Sequence, residues 1–189
     1  MEAHRVLFIY RRWEAERMKI VPFRLEGKYF KKMISLYCRL FQVDARGMED
    51  QFKRHSTYPL FEGYLAIIDE QVAGYIYGYS SRKGQYYHEL LARHLHSERE
   101  WMKDCMELVE LGVDPAYRGR GIGKMLVGQL LQNRKEKRVL LTTRKDNHTA
   151  IAFYLAGGFK VIREGFYPNV PHEYIIMGKH LEGGVGKAN

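Results

Sequence analysis

The chain has 189 residues, a length that suits one folded domain with a sizeable core. Apolar residues make up 46% of it and charged residues 28%, and no apolar run approaches the ~20 residues of a membrane span. The two cysteines, Cys38 and Cys105, form no metal or redox spacing. We therefore expect a reduced, cytoplasmic setting and no bound metal.

The formal net charge is +9, and it is spread unevenly along the chain. Residues 114–145 carry nine basic and two acidic side chains, whereas residues 61–113 carry five basic and nine acidic ones. A ligand with several phosphates would suit the basic stretch, and a cationic substrate would suit the acidic stretch. The charge distribution is equally compatible with two solvated faces that bind no ligand. The net positive charge, taken by itself, would also suit a protein that binds nucleic acid.

Hydrophobic periodicity and turn residues predict the elements in chain order. The first half contains strand 20–24, helices 28–41 and 46–54, a hairpin of strands 62–68 and 72–79, and helix 86–96. The second half contains strand 106–113, helix 121–133, strand 138–143, helix 149–156, and strands 159–163 and 173–177. This order predicts an α+β fold, a sheet with helices on both faces.

No repeat or Pro/Gly/Ser-rich linker divides the chain, so we predict one domain over residues 18–182. Residues 1–17 precede the first predicted strand and are interpreted as an N-terminal extension. Residues 183–189 are glycine-rich and are interpreted as a flexible tail.

A glycine-rich loop joins predicted strand 106–113 to the helix that follows it. The loop combines three glycines, which let a ligand approach the backbone, with three cations. These residues are Gly119, Gly121, Gly123, Arg118, Arg120 and Lys124. Lys at position 124 excludes the dinucleotide pattern GxGxxG, and no Gly-Lys-Ser/Thr ending marks a P-loop. Successive amide groups at a helix N-terminus bind anions, so the loop predicts a pyrophosphate site. A plain tight turn is the alternative.

Residues 118–123, Arg-Gly-Arg-Gly-Ile-Gly, resemble the Arg/Gln-x-x-Gly-x-Gly/Ala signature of the GNAT acetyltransferase superfamily. Residues 147–159 resemble its downstream block, Asn-x-x-Ala-x-x-x-Tyr followed by Gly-Phe. The detailed resemblance covers residues 106–181. It implies a mixed, mostly antiparallel central sheet of six to seven strands with a splayed parallel pair and helices on both faces.

The resemblance also implies acetyl-CoA as cosubstrate. Residues 118–124, Ile122 among them, would hold the pyrophosphate of coenzyme A. The strand that ends near residue 113 would leave its neighbour at a bulge, and its last backbone groups would pair with the pantetheine arm. These groups belong to Leu111, Gly112 and Val113.

Two residues of the downstream block match functional positions of the family. Tyr154 matches a cofactor-contacting general acid, and Asn147 matches a position that contacts the cofactor or orders water. Each has a plainer interpretation as well. Tyr154 could be a packed core tyrosine, and Asn147 could be an N-cap of the helix that follows it.

An amine attacks only when it is neutral, so a general base is needed. Some family members use a strand carboxylate, and Glu107 and Glu110 are the candidates here. Strand alternation places Glu107 with residues 109, 111 and 113, and Glu110 with Leu108 on the opposite face. Only one of the two can then face the cleft squarely, and we favour Glu107. Two surface carboxylates that merely attract a cation are the alternative.

Residues 158–168 resemble the subgroup that acetylates protein N-termini, in which Tyr167 matches an aromatic residue of the peptide site. Those relatives often carry Glu or His where Thr142 stands. The segment 80–101 lies where this fold usually flanks the acceptor cleft, although a surface helix would explain it equally well. We expect three of its residues to shape the acceptor site: Tyr86, Tyr87 and His88.

The leading hypothesis is an acetyl-CoA-dependent N-acetyltransferase in which a small-molecule or peptide amine attacks directly in a ternary complex. The alternative is a non-catalytic acyl-CoA-binding sensor or interaction module on the same fold. We expect neither nucleic acid nor a membrane as partner. The sequence leaves open whether the chain forms a homodimer.

Overall fold

The computed structural model describes residues 18–45 and 47–181. The predicted N-terminal extension, residues 1–17, and the predicted tail, residues 183–189, lie outside the described residues. The boundaries of the single predicted domain therefore stay a prediction.

The described chain contains seven strands and five α-helices. The strands are β1 Lys19–Pro22, β2 Glu62–Ile68, β3 Gln71–Ser80, β4 Cys105–Val113, β5 Arg138–Arg144, β6 Lys160–Phe166 and β7 Tyr174–His180. The helices are α1 Lys28–Phe41, α2 Met48–Ser56, α3 Tyr86–His94, α4 Ile122–Leu131 and α5 His148–Ala156. Each predicted element is confirmed; α1 and β2 have the predicted bounds, and the others have shifted ends. Two short 3₁₀ turns, Arg99–Met102 and Pro115–Tyr117, were not predicted.

The seven strands form one sheet in the order β1-β2-β3-β4-β5-β7-β6. Neighbouring strands are antiparallel except β4 and β5, which are parallel. A parallel pair needs a long crossover connection, and α4 supplies it. The predicted mixed, mostly antiparallel sheet with one parallel pair is confirmed.

Helices cover both faces of the sheet. On one face, Ile122, Leu126 and Leu130 of α4 join Tyr154 of α5 in a buried cluster with the sheet. On the opposite face, α1 and α2 cover the first half of the sheet, and α3 packs against its second half. The apolar stripe of each helix thus faces the sheet, as helical spacing predicted.

The face under α1 and α2 is rich in aromatic rings. Tyr75, Tyr77 and Tyr79 alternate along β3 onto this face, and each is 1% exposed. The ring of Phe52 from α2 lies 5.1 Å from that of Tyr77. These rings form a wall beside β4, so the polar groups of β4 on this side lie in a largely apolar environment.

A buried ion pair lies in the connection between α4 and β5. Arg134 donates from Nη2 to Glu136 Oε1 at 2.7 Å and from Nε to Oε2 at 3.1 Å, and both side chains are 2% exposed. Arg134 Nη1 also donates to the Leu60 carbonyl at 2.8 Å, and Ser80 donates to Glu136. Removing Arg134 would leave the buried Glu136 carboxylate with the Ser80 hydroxyl as a donor but without its arginine counterion.

Arg134→Met is therefore expected to lower the free energy of unfolding by about 3–5 kcal/mol, because it leaves the Glu136 carboxylate buried without its counterion. Urea unfolding followed by circular dichroism measures the change. The double variant Arg134→Met with Glu136→Leu is the control, and it should lose clearly less stability because no charge stays unpaired. Equal losses in the two variants would contradict this role of the pair.

Candidate active site

The two parallel strands separate in the middle of the sheet. Pairing between β4 and β5 covers only residues 105–107 and 138–140, although β4 continues to Val113 and β5 to Arg144. A bulge in β4 lies directly after this pairing, because Tyr77 and Gly78 of β3 pair with Glu110 and Leu108. The predicted splay of β4 from its neighbour is thus confirmed, and we call the opening between the two strands the gap.

The bulge corrects the predicted facing of the glutamates. Leu108 and Leu111 both pack in the cluster under α4, whereas Glu110 meets Tyr37 of α1 on the opposite face. Glu107 contacts Ser81 and Tyr79. Tyr79 lies in the cluster under α1, so Glu107 faces α1 as well. The prediction that Glu107 and Glu110 point to opposite faces is therefore wrong. One extra residue in the bulge resets the alternation, so both carboxyl groups share the face of α1 and α3.

Glu107 is buried beside the last paired position of β4. Its side chain is 3% exposed, and Oε1 accepts a hydrogen bond from Ser81 Oγ at 2.5 Å. Burial raises the pKa of Glu107 to about 7, while hydrogen bonds from Ser81 and Tyr79 act in the opposite direction. A carboxyl group with a pKa near neutrality can both take up and release a proton under physiological conditions.

Glu110 sits three residues further along β4, among tyrosines. Burial raises its pKa to about 8, and the Tyr37 hydroxyl donates a hydrogen bond to it at a long 3.5 Å. The Tyr75 hydroxyl interacts electrostatically with Glu110, yet it is buried and has no hydrogen-bond partner within the described residues. This part of the gap therefore retains polar groups that a bound molecule could satisfy.

Helix α3 brings two of the predicted acceptor residues to the same side of the gap. The Tyr87 hydroxyl lies 2.7 Å from Thr142 Oγ1 of β5, and burial, with a smaller contribution from Glu107, raises the pKa of this hydroxyl. His88 Nδ1 lies 2.8 Å from Ser81 Oγ, which in turn contacts Glu107. His88 thus reaches the candidate base Glu107 through Ser81, whereas Tyr87 interacts with Glu107 electrostatically.

The other two predicted acceptor residues lie further out. Tyr86 is 61% exposed and its hydroxyl accepts a hydrogen bond from the Asn169 side-chain amide. Tyr167 is 56% exposed and lies in the same β6–β7 connection as Asn169. Together they form an aromatic rim rather than a lining of the gap.

Tyr154 lies on the opposite face of the sheet, in α5. Its side chain is 7% exposed, and its ring packs between those of Phe153 and Phe159 at centroid distances of 5.1 and 5.3 Å. Burial and the nearby Glu110 raise the pKa of its hydroxyl. The gap thus lets a group from the α5 face interact with a carboxylate that faces α1.

The glycine loop has an open backbone. Gly119 and Gly121 adopt φ of 77° and 80°, in the left-handed region that favours glycine, and a Cβ added to either would meet nothing within 4 Å. Gly121 is the N-cap of α4, and no side chain caps the helix there. Amide groups at an uncapped N-terminus suit a phosphate ligand, so these residues fit a pyrophosphate.

The remaining loop residues surround this backbone. Arg118 Nε donates to the Val113 carbonyl at 3.2 Å, and the Arg120 guanidinium lies 5.3 Å from the centre of the Tyr117 ring. Lys124 is exposed on the first turn of α4, while the Ile122 side chain is buried in the core. Gly123 instead allows α4 and α5 to pack closely, because a Cβ there would lie 3.3 Å from the Phe153 ring of α5.

Three further cofactor candidates have structural partners of their own. Asn147 caps α5, with Oδ1 accepting from the Ala150 amide at 3.1 Å, so the N-cap interpretation is confirmed. Gly112 lies under the Tyr75 ring, where a Cβ would come within 2.4 Å of it. Its neighbours Leu111 and Val113 turn their side chains to the α4 face. Contact of any of them with a cofactor stays a prediction.

Sequence reasoning missed Tyr37 and Ser81 as site residues. Tyr37 belongs to the apolar stripe of α1, so helical spacing identified it only as a core residue. Ser81 follows β3 directly and is 4% exposed, and nothing in its local sequence pairs it with Glu107. The acidic stretch that contains β4 was the available signal for a polar cleft, but it did not identify the partners.

Comparison with known proteins gives the family. The profile described as "Acetyltransferase (GNAT) family" matches residues 30–159, more than half of the chain. The chain belongs to the GNAT acetyltransferase family.

Sequence relatives of this GNAT chain include two proteins of Mycobacterium tuberculosis. The N-alpha-acetyltransferase RimI is 46% identical over 54 residues, which are 29% of this chain and 34% of that protein. A GCN5-like protein acetyltransferase is 31% identical over 126 residues, 61% of each chain. The matched regions span between 22% and 61% of the curated relatives' own lengths.

The fold agrees with solved GNAT structures. The crystal structure of Arabidopsis thaliana NAA60 in complex with acetyl-CoA matches with a TM-score of 0.64 at 17% identity, over 87% of this chain and 98% of that one. At this identity the match concerns the fold. Among the residues described for this GNAT chain, no cluster of side chains suited to a metal ion occurs. No helix within 18–45 or 47–181 has both the length and the apolarity needed to cross a bilayer.

Gly121→Glu is expected to abolish binding of coenzyme A to this GNAT protein, because it places a side chain and a negative charge where the helix N-terminus would receive phosphate. Isothermal titration calorimetry with coenzyme A measures the effect. Gly128→Glu is the matched control, since Gly128 lies in the same helix with open space around it and should bind normally. Retained micromolar affinity in Gly121→Glu would contradict the assignment of the loop.

Proposed function

We propose that this GNAT protein is an acetyl-CoA-dependent N-acetyltransferase in which a primary amine attacks the thioester directly in a ternary complex. The observation that carries the proposal is the gap between β4 and β5. It brings two buried carboxyl groups to one face, a buried tyrosine to the other, and an uncapped glycine loop to the end of β4.

The glycine loop is the proposed site for the pyrophosphate of the cosubstrate. Backbone amides between residues 118 and 124 would bind the phosphates, and Arg118 and Lys124 would add charge. The edge of β4 beyond Glu107, which has no pairing with β5, would hydrogen-bond the pantetheine arm in the manner of an added strand. Acetyl-CoA supplies the acetyl group in an activated thioester form.

Glu107 is the proposed general base. Its pKa of about 7 leaves a substantial ionised fraction at neutral pH, and an α-amino group has an ordinary pKa of about 8. Proton transfer from such an ammonium to Glu107 is nearly balanced, whereas a lysine ammonium near 10.4 is a much weaker acid. Glu110 is the second carboxyl group of the gap, and its pKa of about 8 keeps it largely protonated at neutral pH. We assign it to orientation of the amine by hydrogen bonding.

Tyr154 is the proposed general acid. Its raised pKa keeps the phenol protonated at neutral pH, so Oη can provide a proton at the departing sulfur. Its position on the α5 face places it across the sheet from the glutamates. Base and acid therefore serve the two ends of the reaction from opposite faces of the gap.

The N-terminal amine of a peptide or protein is the proposed acceptor. The match between the pKa of Glu107 and that of an α-amino group supports this choice, as does the similarity to a mycobacterial N-alpha-acetyltransferase. The exposed rings of Tyr86 and Tyr167 would provide apolar contact for the residues that follow the reactive amine.

A panel of amines tests the function and the acceptor together. A peptide with a free N-terminus, the same peptide blocked at its N-terminus but carrying lysine, and a linear polyamine are incubated with acetyl-CoA, and thiol release and mass are measured. We expect acetylation of the free N-terminus. Preference for lysine or the polyamine would refute the acceptor assignment, and binding of acetyl-CoA without turnover on any amine would favour the sensor.

Tyr154→Phe is expected to lower kcat at least tenfold with little change in the affinity for coenzyme A, since only the proton donor is lost. Steady-state kinetics and calorimetry measure the two quantities. Tyr64→Phe, which removes a half-buried hydroxyl on β2 that bonds Glu62, is the control. Unchanged turnover in Tyr154→Phe would remove it from the acid role.

The rate is expected to rise with pH through about 7, because Glu107 must lose its proton before it can act as a base. Glu107→Gln should lower kcat at neutral pH at least tenfold and abolish this rise, leaving only the titration of the amine itself. Glu110→Gln is the comparison, and it should mainly raise KM. A pH profile in Glu107→Gln that keeps its step near 7 would assign the step to another group.

A further inference from the structure

Three side chains, from α3, from the residue that follows β3 and from β4, form a hydrogen-bonded chain that ends at the candidate base. His88 Nδ1 in α3 lies 2.8 Å from Ser81 Oγ, and Ser81 Oγ lies 2.5 Å from Glu107 Oε1 in β4. Ser81 is held in place by its own backbone, whose N–H donates to the Cys105 carbonyl at 3.0 Å. Because Ser81 and Glu107 are both almost completely buried, water does not compete for these bonds.

The donors and acceptors of this chain have only one arrangement when Glu107 is ionised. A carboxylate can only accept, and a serine hydroxyl has a single proton, so that proton must point to Glu107. The lone pairs of Ser81 then face His88, and Nδ1 must carry a proton and donate it. Both links thus stabilise the negative charge, and neither requires His88 itself to be charged.

The other polar groups around Glu107 carry no charge near pH 7, and the Tyr79 hydroxyl adds a second hydrogen bond to its carboxylate. The Tyr79 hydroxyl interacts with Glu107 from β3, and the Cys105 thiol and the Tyr87 hydroxyl face it from β4 and α3. Burial raises the pKa of both the thiol and the two phenols, so these groups stay neutral near pH 7. The acidic group that faces His88 is Glu89 of the same helix.

We propose that Ser81 and His88 are positioning residues that keep Glu107 ionised and aimed into the gap, so that it can take a proton from the acceptor amine at neutral pH. The proposal rests on the proposed function. His88 acts through Ser81 and not on the substrate, which distinguishes it from the acceptor-shaping role expected from the sequence.

Helix α3 does not depend on His88 for its position. Gln85 donates to the Ser80 carbonyl at 3.0 Å, Tyr87 bonds Thr142, and Leu91 and Leu95 are buried beneath the helix. Removing the His88 ring therefore leaves these attachments intact. A change in Glu107 on removal of His88 would report on the hydrogen-bonded chain and not on loss of the helix.

A direct titration of Glu107 tests the proposal. Protein labelled with ¹³C at the glutamate carboxyl carbons is titrated by NMR, and the Glu107 signal is assigned with Glu107→Gln. Ser81→Ala should raise the pKa of Glu107 by about one unit or more, as expected when a carboxylate loses a hydrogen bond in a buried site. His88→Leu should raise it by less, and His88→Gln, whose amide can donate to Ser81, should restore most of the difference.

Two variants outside the chain are the controls. Ser35→Ala makes the same substitution on the exposed face of α1, and His96→Leu makes the same substitution just beyond α3. Neither substitution should change the pKa of Glu107 measured by the titration. Thermal unfolding of every variant checks that the comparison is made between folded proteins.

Kinetics add a readout that a structural role would not produce. In Ser81→Ala the rise of kcat/KM with pH should move upward by the same amount as the pKa, and the rate should approach that of the parent protein at about pH 9. An unmoved Glu107 titration, or an equal loss of rate at every pH, would overturn the inference. Failure of the parent protein to acetylate any amine, with the Glu107 shift present, would refute the proposed function alone.

Discussion

Loss of backbone pairing between β4 and β5 is the constraint on which the site depends. The two parallel strands share only three paired positions, and the bulge that follows turns the rest of β4 away from β5. The unpaired edge would be costly in an ordinary sheet interior, because buried backbone groups need partners. Here it creates an opening between β4 and β5, and Glu107 lies at the last paired position before this opening.

The bulge has a second effect, which concerns the carboxyl groups. By adding one residue to β4, it brings Glu107 and Glu110 to the same face, among the tyrosines of β3, α1 and α3. Burial in an apolar wall disfavours the charged forms, so both pKa values rise toward neutrality. Burial of these two carboxyl groups lowers the stability of the fold, and such an arrangement is typical of sites that move protons.

The sheet also separates two tasks. On the α4 and α5 face are the glycine loop and Tyr154, the groups suited to the cosubstrate and its departing sulfur. On the α1 and α3 face are the glutamates and the chain from Ser81 to His88, the groups suited to the amine. In the proposed reaction, this division would let the cosubstrate and the amine approach from different faces of the sheet.

The sequence by itself determined the elements, their order and the glycine loop. Periodicity is a local property, and the loop is a contiguous motif whose helix begins at Ile122, one residue after the predicted start. It did not determine which face Glu110 occupies, because alternation assumes an unbroken ladder and the bulge depends on how β3 pairs with β4. Nor did it join Ser81 to Glu107, or Tyr37 to Glu110, because these contacts cross 26 and 73 residues of chain. Only packing of the helices on the sheet decides such contacts, and that packing is set by the whole core rather than by any local pattern.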